Sequence, residues 1–330
     1  MKILLAPLNW GLGHASRCVP LVQRLLDEGN EVVLGGDGES LTLLRKHFPK
    51  LRYVYLAPLQ LRYSKGKRQV WAMIKALPKL WTWALKDHAI LKAVLREEPF
   101  DQIISDNRFG LYFVSERSKQ SVLCQAKPIC IYITHQLHIM LPKGWRWLEP
   151  LVARLHARVY TRFNKVWVPD YKDYKQSLAG ELSHPPIATG KNQISIEYIG
   201  PLSRFLPATK ETNYDVVAVL SGLEPQRTLL EKELLARFQD SNQSVLIVQG
   251  LLNKPNTRIK RANITIVPYM NDDELVATMT GAKLIIARAG YSTIMDLNAL
   301  DLLSKAELIP TPGQPEQEYL ATWIAQKTLF

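Results

Sequence analysis

Two consecutive strand–loop–helix crossings near the C-terminus constrain the fold of this 330-residue chain more than any other feature. The apolar run 283–287 has the length and residue types of a buried parallel strand, and a second run, 307–309, follows one helix later. Gly290 allows a tight turn after the first run, and Ser292 or Thr293 can cap the next helix. Both crossings bring polar groups to the edge where open α/β sheets bind nucleotides. The sequence therefore predicts an α/β domain with a nucleotide site at this edge.

The letters of this region, RAGYST from Arg288 and LIPTPGQPEQEYLA from Leu308, resemble the donor half of the MurG-like inverting glycosyltransferases. That family has the GT-B fold, two Rossmann-like domains facing each other across a cleft, and uses nucleotide sugars. The resemblance implies that Asp296 holds the ribose hydroxyls and that Gln317 and Glu318 contact the donor sugar. Two glutamines are usual at that pair, so Glu318 is a departure that bears on the identity of the sugar.

The same glycines and prolines have a plainer interpretation. Gly290 and the residues 310–313 form turns in many proteins, and an isolated turn needs no ligand. The whole run at this spacing favours the donor site over that alternative. Gln314 and Arg288 complete the expected donor contacts of the region, with Arg288 facing the charge that develops on the leaving group.

Further donor contacts are expected at the start of the C-terminal domain, where a strand predicted over 214–220 runs into a Ser-Gly loop and a helix. Ser221 and Gly222 supply donors for a phosphate, the N-terminus of the helix adds its positive end, and Arg227 adds a charge. The resemblance places the nucleotide base in a later loop, through backbone contacts around Met270.

At the N-terminus, a strand predicted over 2–7 leads into a glycine-rich loop and a helix, the opening of a Rossmann-like unit. The pattern G-x-G-H-x-x-R, formed by Gly11, Gly13, His14 and Arg17, is similar to the N-terminal loop of the same glycosyltransferases. There the loop lies in the interdomain cleft and the histidine is a candidate base. The positive end of a helix dipole favours a neutral imidazole, which can accept a proton from a sugar hydroxyl. In the alternative interpretation, His14 only caps the helix or lines the phosphate path.

Two further predicted strands end at the same rim as His14. The first brings Asp106 and Asn107 to the carboxyl edge of the sheet, and the second, 128–134, brings His135. We expect this rim to hold the acceptor, with Asp106 as the second candidate for the base.

No metal or other cofactor is expected. His135 and His138 have a spacing that suits a metal, but no third ligand accompanies them. Asp272 and Asp273 are adjacent rather than arranged as Asp-x-Asp, and they precede a helix that they are expected to cap. The incomplete glycine fingerprint argues against NAD, although Asp37 follows the second strand, where a dehydrogenase carries its acidic residue.

Length and charge divide the chain. Its 330 residues suggest roughly two domains, an acceptor-side domain over 1–201, of which 171–201 is a connecting segment, and a donor domain over 202–330. Residues 1–201 contain 29 Lys and Arg against 16 Asp and Glu, whereas 202–330 contain 13 against 14. A basic excess confined to one domain indicates an anionic partner: a membrane surface, a nucleic acid or an acidic substrate.

The basic residues of the first domain are interleaved with tryptophans over 59–95 and again over 144–163. Within the first stretch, 70–77 and 80–95 have helical apolar spacing, with Pro78 as a break. Tryptophan beside lysine on an amphipathic helix is typical of a membrane interface; the alternative is a set of core aromatics beneath a solvated basic face. No nucleic-acid-binding motif accompanies the charge. We therefore expect peripheral contact with an anionic membrane and no nucleic acid.

Neither a signal peptide nor a transmembrane segment is evident, and the three cysteines show no metal or disulfide spacing. We expect a cytoplasmic protein, at most peripheral on the inner face of a membrane. Related enzymes usually end with a helix that crosses back to the first domain, and this chain ends at Phe330, so domain docking is in question.

These features and the resemblance predict an inverting, metal-independent transfer of a sugar from a UDP-sugar to a lipid-linked or cell-envelope acceptor. A nucleotide-sugar epimerase or hydrolase of the same fold stays open as an alternative. So does an inactive nucleotide-sugar-binding module, and an NAD-dependent dehydrogenase is a third candidate.

Overall fold

The computed structural model describes residues 1–59, 69–112, 127–185, 194–207, 214–222, 224–251 and 254–328, with the backbone alone for 69–77. The chain forms two compact units, and the division along the sequence between them falls at Leu202 and Ser203. We refer to them as the first and the second domain.

The described part of the first domain is a parallel sheet with helices between its strands. In chain order its elements are β1 (Lys2–Pro7), α1 (Gly13–Asp27), β2 (Glu31–Gly36), α2 (Gly38–His47), β3 (Tyr53–Tyr55), α3 (Gln69–Glu97), β4 (Gln102–Asp106), β5 (Ile129–Ile133), α4 (Glu149–Tyr160), β6 (Lys165–Val168) and β7 (Ser195–Tyr198). A 3₁₀ helix, Lys143–Leu148, leads directly into α4. The strand order is β3-β2-β1-β4-β5-β6-β7, and every neighbouring pair is parallel.

The second domain repeats this architecture with six strands among its described residues. Its elements are β8 (Val216–Val219), α5 (Gln226–Phe238), β9 (Val245–Val248), β10 (Ile259–Arg261), β11 (Ile264–Val267), α6 (Asp272–Gly281), β12 (Leu284–Arg288), α7 (Tyr291–Ala299), β13 (Ala306–Ile309) and α8 (Pro315–Thr328). The order is β10-β11-β9-β8-β12-β13, and only the β10–β11 pair is antiparallel among the described strands. Both domains are Rossmann-like, as predicted.

Strand order explains where a ligand can bind in each domain. The central strands are short apolar runs buried on both faces, which is the pattern of parallel strands covered by helices. The chain winds outward in both directions from β1 and β4 in the first sheet, and from β8 and β12 in the second. At such a point the loops after two adjacent strands diverge and leave a crevice at the carboxyl edge.

One strand lies in the segment that the sequence analysis treated as a connection. β7, within 171–201, pairs in parallel with β6 from Lys165↔Ser195 to Val168↔Tyr198. Its residues are exposed or half-buried, so it lacks the continuous apolar run that identifies the inner strands.

The predicted break at Pro78 is wrong. α3 continues through this proline from Gln69 to Glu97. Pro78 itself is exposed. The hydrogen bond that its missing N–H removes and the space that its ring needs are therefore on the solvent side of the helix. No helix in the described part of the chain is both long and apolar enough to cross a membrane.

Candidate active site

The first-domain site is built where two neighbouring strands end. β1 and β4 pair in a register that sets Pro7 opposite Asp106. The loop after β1 leads into α1 at Gly13, so His14 and Arg17, three residues apart, lie on one face of its first turn. The register of the sheet therefore brings a carboxylate from β4 beside two side chains of α1.

Asp106 is held by a guanidinium. Arg17 Nε donates to Oδ2 at 2.6 Å, and Arg17 Nη2 donates to Oδ1. Both side chains are almost fully buried. Burial alone would raise the pKa of Asp106, but the charges of Arg17 and His14 and their hydrogen bonds outweigh it and hold the pKa well below its usual range. Asp106 is therefore a stable carboxylate at every physiological pH.

His14 lies beside this ion pair. Its Nδ1 is 3.0 Å from Asp106 Oδ1 and 2.9 Å from Arg17 Nη2. Nδ1 cannot donate to one and accept from the other at once, and Arg17 Nη2 already donates to Asp106. A proton on Nδ1, donated to Asp106, satisfies the carboxylate and leaves Nε2 as the acceptor. No described group hydrogen-bonds Nε2, so His14 presents a basic nitrogen that a ligand can use.

Asp106 does not fit the other role expected for it, that of the base. It is 1% exposed, and both of its oxygens already accept hydrogen bonds. A carboxylate whose pKa is strongly lowered has little affinity for a proton. Its geometry is that of a group that orients His14.

Asn107 and His135 also lie at this rim, and both are held by protein neighbours. Asn107 adopts φ 58°, and its Oδ1 accepts a hydrogen bond from the Tyr132 hydroxyl at 2.6 Å. His135 is 5% exposed, with its Nδ1 3.2 Å from Arg17 Nη1. The structure thus brings His14, Arg17, Asp106 and His135 into one connected group, as the strand ends predicted.

The glycines of the two predicted loops differ in what they require. Gly11 has φ 76°, a left-handed conformation that other residues rarely adopt, and a Cβ there would meet no atom within 4 Å. Gly13 is the first residue of α1. Gly290, in contrast, has φ −79°, and a Cβ there would lie 3.8 Å from Thr293 Oγ1. Backbone conformation therefore does not demand glycine at position 290.

Two predicted helix caps are corrected. α7 begins at Tyr291 with Gly290 as its N-cap and no side-chain capping bond, so Ser292 and Thr293 lie inside its first turn. α6 is capped by Asn271, whose side chain accepts from the backbone N–H of Glu274, rather than by the aspartates that follow. In both places the helix starts earlier than the sequence suggested, because glycine and asparagine also adopt the extended N-cap conformation.

The second-domain loop after β8 carries Ser221 and Gly222, the latter with φ 96°. Arg227, the second residue of α5, is already paired with carboxylates of the protein. Its Nε donates to Glu224 at 2.8 Å, and its Nη1 donates to Glu231 at 3.1 Å. Two carboxylates therefore already pair with Arg227, and its contact with a phosphate stays a prediction. The spacing of three and four residues on a helix was a signal for this pairing.

Arg288 ties loops together instead of facing an open site. It is 4% exposed, its Nη1 donates to the carbonyl of Pro310 at 3.0 Å, and its Nη2 donates to the carbonyl of Gln226 at 2.9 Å. Its Nε has no partner within the described ranges, and burial lowers the pKa of the guanidinium. Arg288 thus joins the ends of β12 and β13 to the start of α5, and its stabilisation of the leaving group stays a prediction.

Asp296 lies inside α7, where burial raises its pKa to about 6 against the opposing effects of Arg204 and a hydrogen bond from Ser203. The Ser203 hydroxyl donates to Oδ1 at 2.7 Å. Arg204 Nε in turn donates to Asp272 at 2.8 Å. A carboxyl group so poorly solvated is suited to accept hydrogen bonds from ligand hydroxyls.

The polar residues after β13 close their own loop. The backbone N–H of Thr311 donates to Gln317 Oε1 at 2.8 Å, and that of Gly313 donates to Glu318 Oε1 at 3.2 Å. The backbone carbonyl of Gln314 accepts from the N–H of Glu318. Each side chain keeps one terminal atom for another partner, an amide N–H₂ on Gln317 and a carboxylate oxygen on Glu318.

Comparison with known proteins identifies the family. The model of the glycosyltransferase family 28 C-terminal domain matches residues 216–328. An uncharacterized glycosyltransferase of Methanosarcina acetivorans is 23% identical over 346 residues, which cover 99% of this chain and 84% of the relative. The second domain is therefore a glycosyltransferase family 28 C-terminal domain, and the chain is a glycosyltransferase.

Solved structures agree on the fold of this glycosyltransferase. The kitacinnamycin glycotransferase aligns with 98% of this chain and 84% of its own, with TM-score 0.59 and 13% identity. Phytolacca americana UGT2, complexed with UDP-2fluoro-glucose and pterostilbene, aligns with 99% of this chain and 83% of its own, with TM-score 0.56 and 13% identity. The glycosyltransferase has the GT-B fold.

A buried network behind the glycine-rich loop escaped the sequence analysis. Arg108 is fully buried and donates to Asp87 through Nε at 2.9 Å and to Asp37 through Nη1 at 2.7 Å. Asp37 also accepts from the side-chain amide of Asn9, in the loop before His14. Asp37 is therefore occupied by the protein, which removes the acidic residue that the dehydrogenase alternative needed.

Two remaining expectations concern Met270 and metal ions. Met270 packs, partly buried, against the apolar core of the second domain, and its backbone contact with a base stays a prediction. His138 Nε2 is 3.3 Å from Glu149 Oε2. Within the described residues, no group of three or more His, Cys, Asp or Glu side chains is placed to hold a metal ion.

Proposed function

We propose that this glycosyltransferase moves a sugar from a UDP-sugar to an acceptor hydroxyl by a single inverting displacement that needs no metal. The observation that carries the proposal is the His14–Asp106–Arg17 group at the crevice of the first sheet. It supplies one basic nitrogen, a permanent carboxylate that orients it, and a guanidinium that fixes the carboxylate. General base catalysis requires such a nitrogen, held in place by its neighbours.

In the proposed reaction, His14 Nε2 takes the proton of the acceptor hydroxyl as its oxygen attacks the anomeric carbon. The bond from that carbon to the diphosphate oxygen breaks, and the nucleoside diphosphate leaves with the electron pair. Attack opposite the leaving group inverts the anomeric configuration. Asp106 stabilises the imidazolium that forms. Its Oδ1 accepts a hydrogen bond from Nδ1–H at an Nδ1–Oδ1 distance of 3.0 Å, and the carboxylate itself stays ionised.

The second domain supports a nucleotide-sugar donor through three features. The Ser221–Gly222 loop and the N-termini of α5 and α7 offer backbone N–H groups and positive dipole ends for the diphosphate. Asp296 offers carboxylate oxygens for the ribose hydroxyls. The amide of Gln317 and the free oxygen of Glu318 offer a donor and an acceptor for sugar hydroxyls. The UDP-sugar bound to the Phytolacca protein supports the choice of nucleotide.

The test of the base is the kinetics of His14→Ala. We expect kcat to fall about 10²- to 10⁴-fold, the range contributed by a positioned base. UDP should raise the melting temperature of the variant and of the wild type alike, because the proposed donor contacts belong to the second domain. Wild-type kcat in a folded His14→Ala protein would contradict the assignment.

Product analysis of the wild type tests the remaining parts. Nuclear magnetic resonance of the product should show inversion at the anomeric carbon, and a chelator should leave the rate unchanged. Release of free sugar at the same rate with and without acceptor would assign a hydrolase instead. UDP binding without turnover of any donor would assign a binding module.

The acceptor belongs to the proposal as well. A lipid-linked or cell-envelope acceptor is supported by the basic excess of the first domain, 29 Lys and Arg against 16 Asp and Glu over 1–201. Anionic surfaces attract such a domain.

A further inference from the structure

We infer that the outward face of α4, together with the 3₁₀ helix before it, is a docking surface for an anionic lipid bilayer. The inference deepens the proposed function, since it names the surface through which a membrane-bound acceptor would be approached. We call it the α4 surface: the exposed side chains of 143–158.

The pattern of exposure defines the α4 surface. Its exposed positions recur three or four residues apart along the helix and its 3₁₀ lead, as one face of a helix does. They are Trp147, Pro150, Leu151, Arg154, Leu155 and Arg158. Trp147 is 75% exposed, Leu151 52% and Leu155 49%. The solvent face of a surface helix is normally polar, so this apolar face requires an explanation.

Charge indicates which partner covers it. Every charged side chain on the α4 surface is basic, and Lys143 and Arg146 extend the set beyond the helix. Arg154 and Arg158 pair with no carboxylate in the described part of the chain. Glu149, the acid of this segment, is turned away: its Oε1 accepts from the backbone N–H of Leu141 at 2.9 Å, and its Oε2 lies 3.3 Å from His138.

An apolar stripe edged by unpaired arginines matches a bilayer interface. Trp and Leu side chains enter the boundary between headgroups and acyl chains, and arginine extends its apolar stem while its guanidinium reaches lipid phosphates. Each basic residue near an anionic surface adds to the attraction. An anionic bilayer supplies both the negative charge and the apolar layer, whereas a protein partner would need an acidic rim around an apolar patch to match the same surface.

The described part of α3 suits this role less well than the sequence predicted. Trp83 is 4% exposed, and its indole N–H donates to the carbonyl of Ala57 at 2.8 Å. It is a core residue, as the alternative interpretation of that stretch held. Trp81 and Leu85 are exposed at 58% and 52%. The 60–68 part of the stretch lies outside the described residues.

The α4 surface is joined to the candidate active site within the first domain. The loop that follows β5 contains His135, which contacts Arg17. Further along the same loop, Glu149 of α4 accepts from the backbone N–H of Leu141 and lies 3.3 Å from His138 Nε2. A bilayer on the α4 surface would therefore lie against the same element that borders the acceptor rim.

Vesicle flotation tests the inference with the full chain and no substrate. The wild type should bind vesicles of equal parts phosphatidylglycerol and phosphatidylcholine, and bind pure phosphatidylcholine far more weakly. Arg154→Gln/Arg158→Gln should bind the anionic vesicles about thirtyfold more weakly. Leu151→Gln/Leu155→Gln should bind them about tenfold more weakly or worse.

Leu229→Gln is the matched control, since Leu229 is an exposed leucine, 46% accessible, on α5 of the second domain. It should bind like the wild type. Wild-type protein that ignores anionic vesicles, or α4 variants that bind them normally, would overturn the inference. So would a wild-type dimer that the leucine variant dissociates, because the surface would then join two copies. His14→Ala should still bind vesicles, so loss of transfer alone counts against the proposed function and not against this inference.

Discussion

Arg17 shares one carboxylate with the residue that must become charged during the reaction. Asp106 balances the guanidinium before reaction, and the imidazolium of His14 would form beside both. The bidentate fork of arginine leaves Asp106 Oδ1 reachable for the Nδ1 proton, which a lysine at this position would not arrange as well. Arginine at position 17 therefore sets both the ionisation of the carboxylate and its orientation toward His14.

Asp296 makes stability depend on pH in a predictable direction. Its pKa is about 6 in the folded protein, against a reference value of 3.8. Between these two values the folded protein keeps a proton that the unfolded chain releases, so unfolding becomes easier as pH rises. As pH rises through 6 and the carboxyl of the partly buried Asp296 ionises in the folded protein, the cost of this charge reaches its full size, up to about 3 kcal/mol.

Asp296→Asn should remove this dependence. Asparagine keeps an oxygen for the Ser203 hydroxyl but carries no charge. We expect the variant to match the wild type at pH 4 and to exceed it by up to about 3 kcal/mol at pH 7.5, measured by urea unfolding. A difference that is constant across that range would show that the group does not titrate as described.

Single charges were the least predictable part of the site. The sequence showed which side chains stand at the strand ends, and His14, Arg17, Asp106 and His135 do lie together there. The sequence did not show which charged side chains pair with other groups of the protein. The two Nη atoms of Arg288 donate to backbone carbonyls that lie 22 and 62 residues away along the chain, and no local pattern reveals such partners.

At the scale of elements, the N-cap of α6 offers a clean measurement. Asn271 accepts from the N–H of Glu274 at 2.8 Å, whereas Asp273 lies exposed in the first turn. Asn271→Ala should destabilise the protein by about 1 kcal/mol, the usual loss for an N-cap. Asp273→Asn, which removes only a favourable charge near the helix dipole, should cost about 0.3 kcal/mol. Equal effects in denaturant unfolding would mean that the cap assignment is wrong.

Most of the strands that the sequence predicted are buried on both faces, although β13, a half-buried strand at the edge of the second sheet, was predicted as well. The inner strands β1, β4, β8 and β12 are apolar runs that only burial explains. The short exposed strands were missed, and β10, with all three residues exposed, is the clearest case. An exposed edge strand takes its conformation from the neighbouring strand, which is β11 for β10, and its own residues form no continuous apolar run.

At the scale of the molecule, each domain has its own apolar core. The cluster that contains Leu91 and Tyr132 is formed by first-domain residues, and the clusters around Leu246 and Val216 are formed by second-domain residues. Separate cores allow separate unfolding transitions. A ligand that binds one domain then stabilises that domain.

Calorimetry with UDP tests this separation. We expect two transitions, of which UDP at about 100 times its dissociation constant raises only one, by roughly 8 °C. Asp296→Ala should abolish that shift. A shift of both transitions by the same amount, or of neither, would contradict the placement of the donor site in the second domain.

Because β7 belongs to the first sheet, it determines where this donor domain could be joined to a different acceptor domain. A cut inside 171–201 would strip an edge strand from the sheet that needs it. A cut after Ser203 would separate that hydroxyl from Asp296. Splicing between Leu202 and Ser203 respects both, so chimeric enzymes with altered acceptor preference should be assembled at that peptide bond.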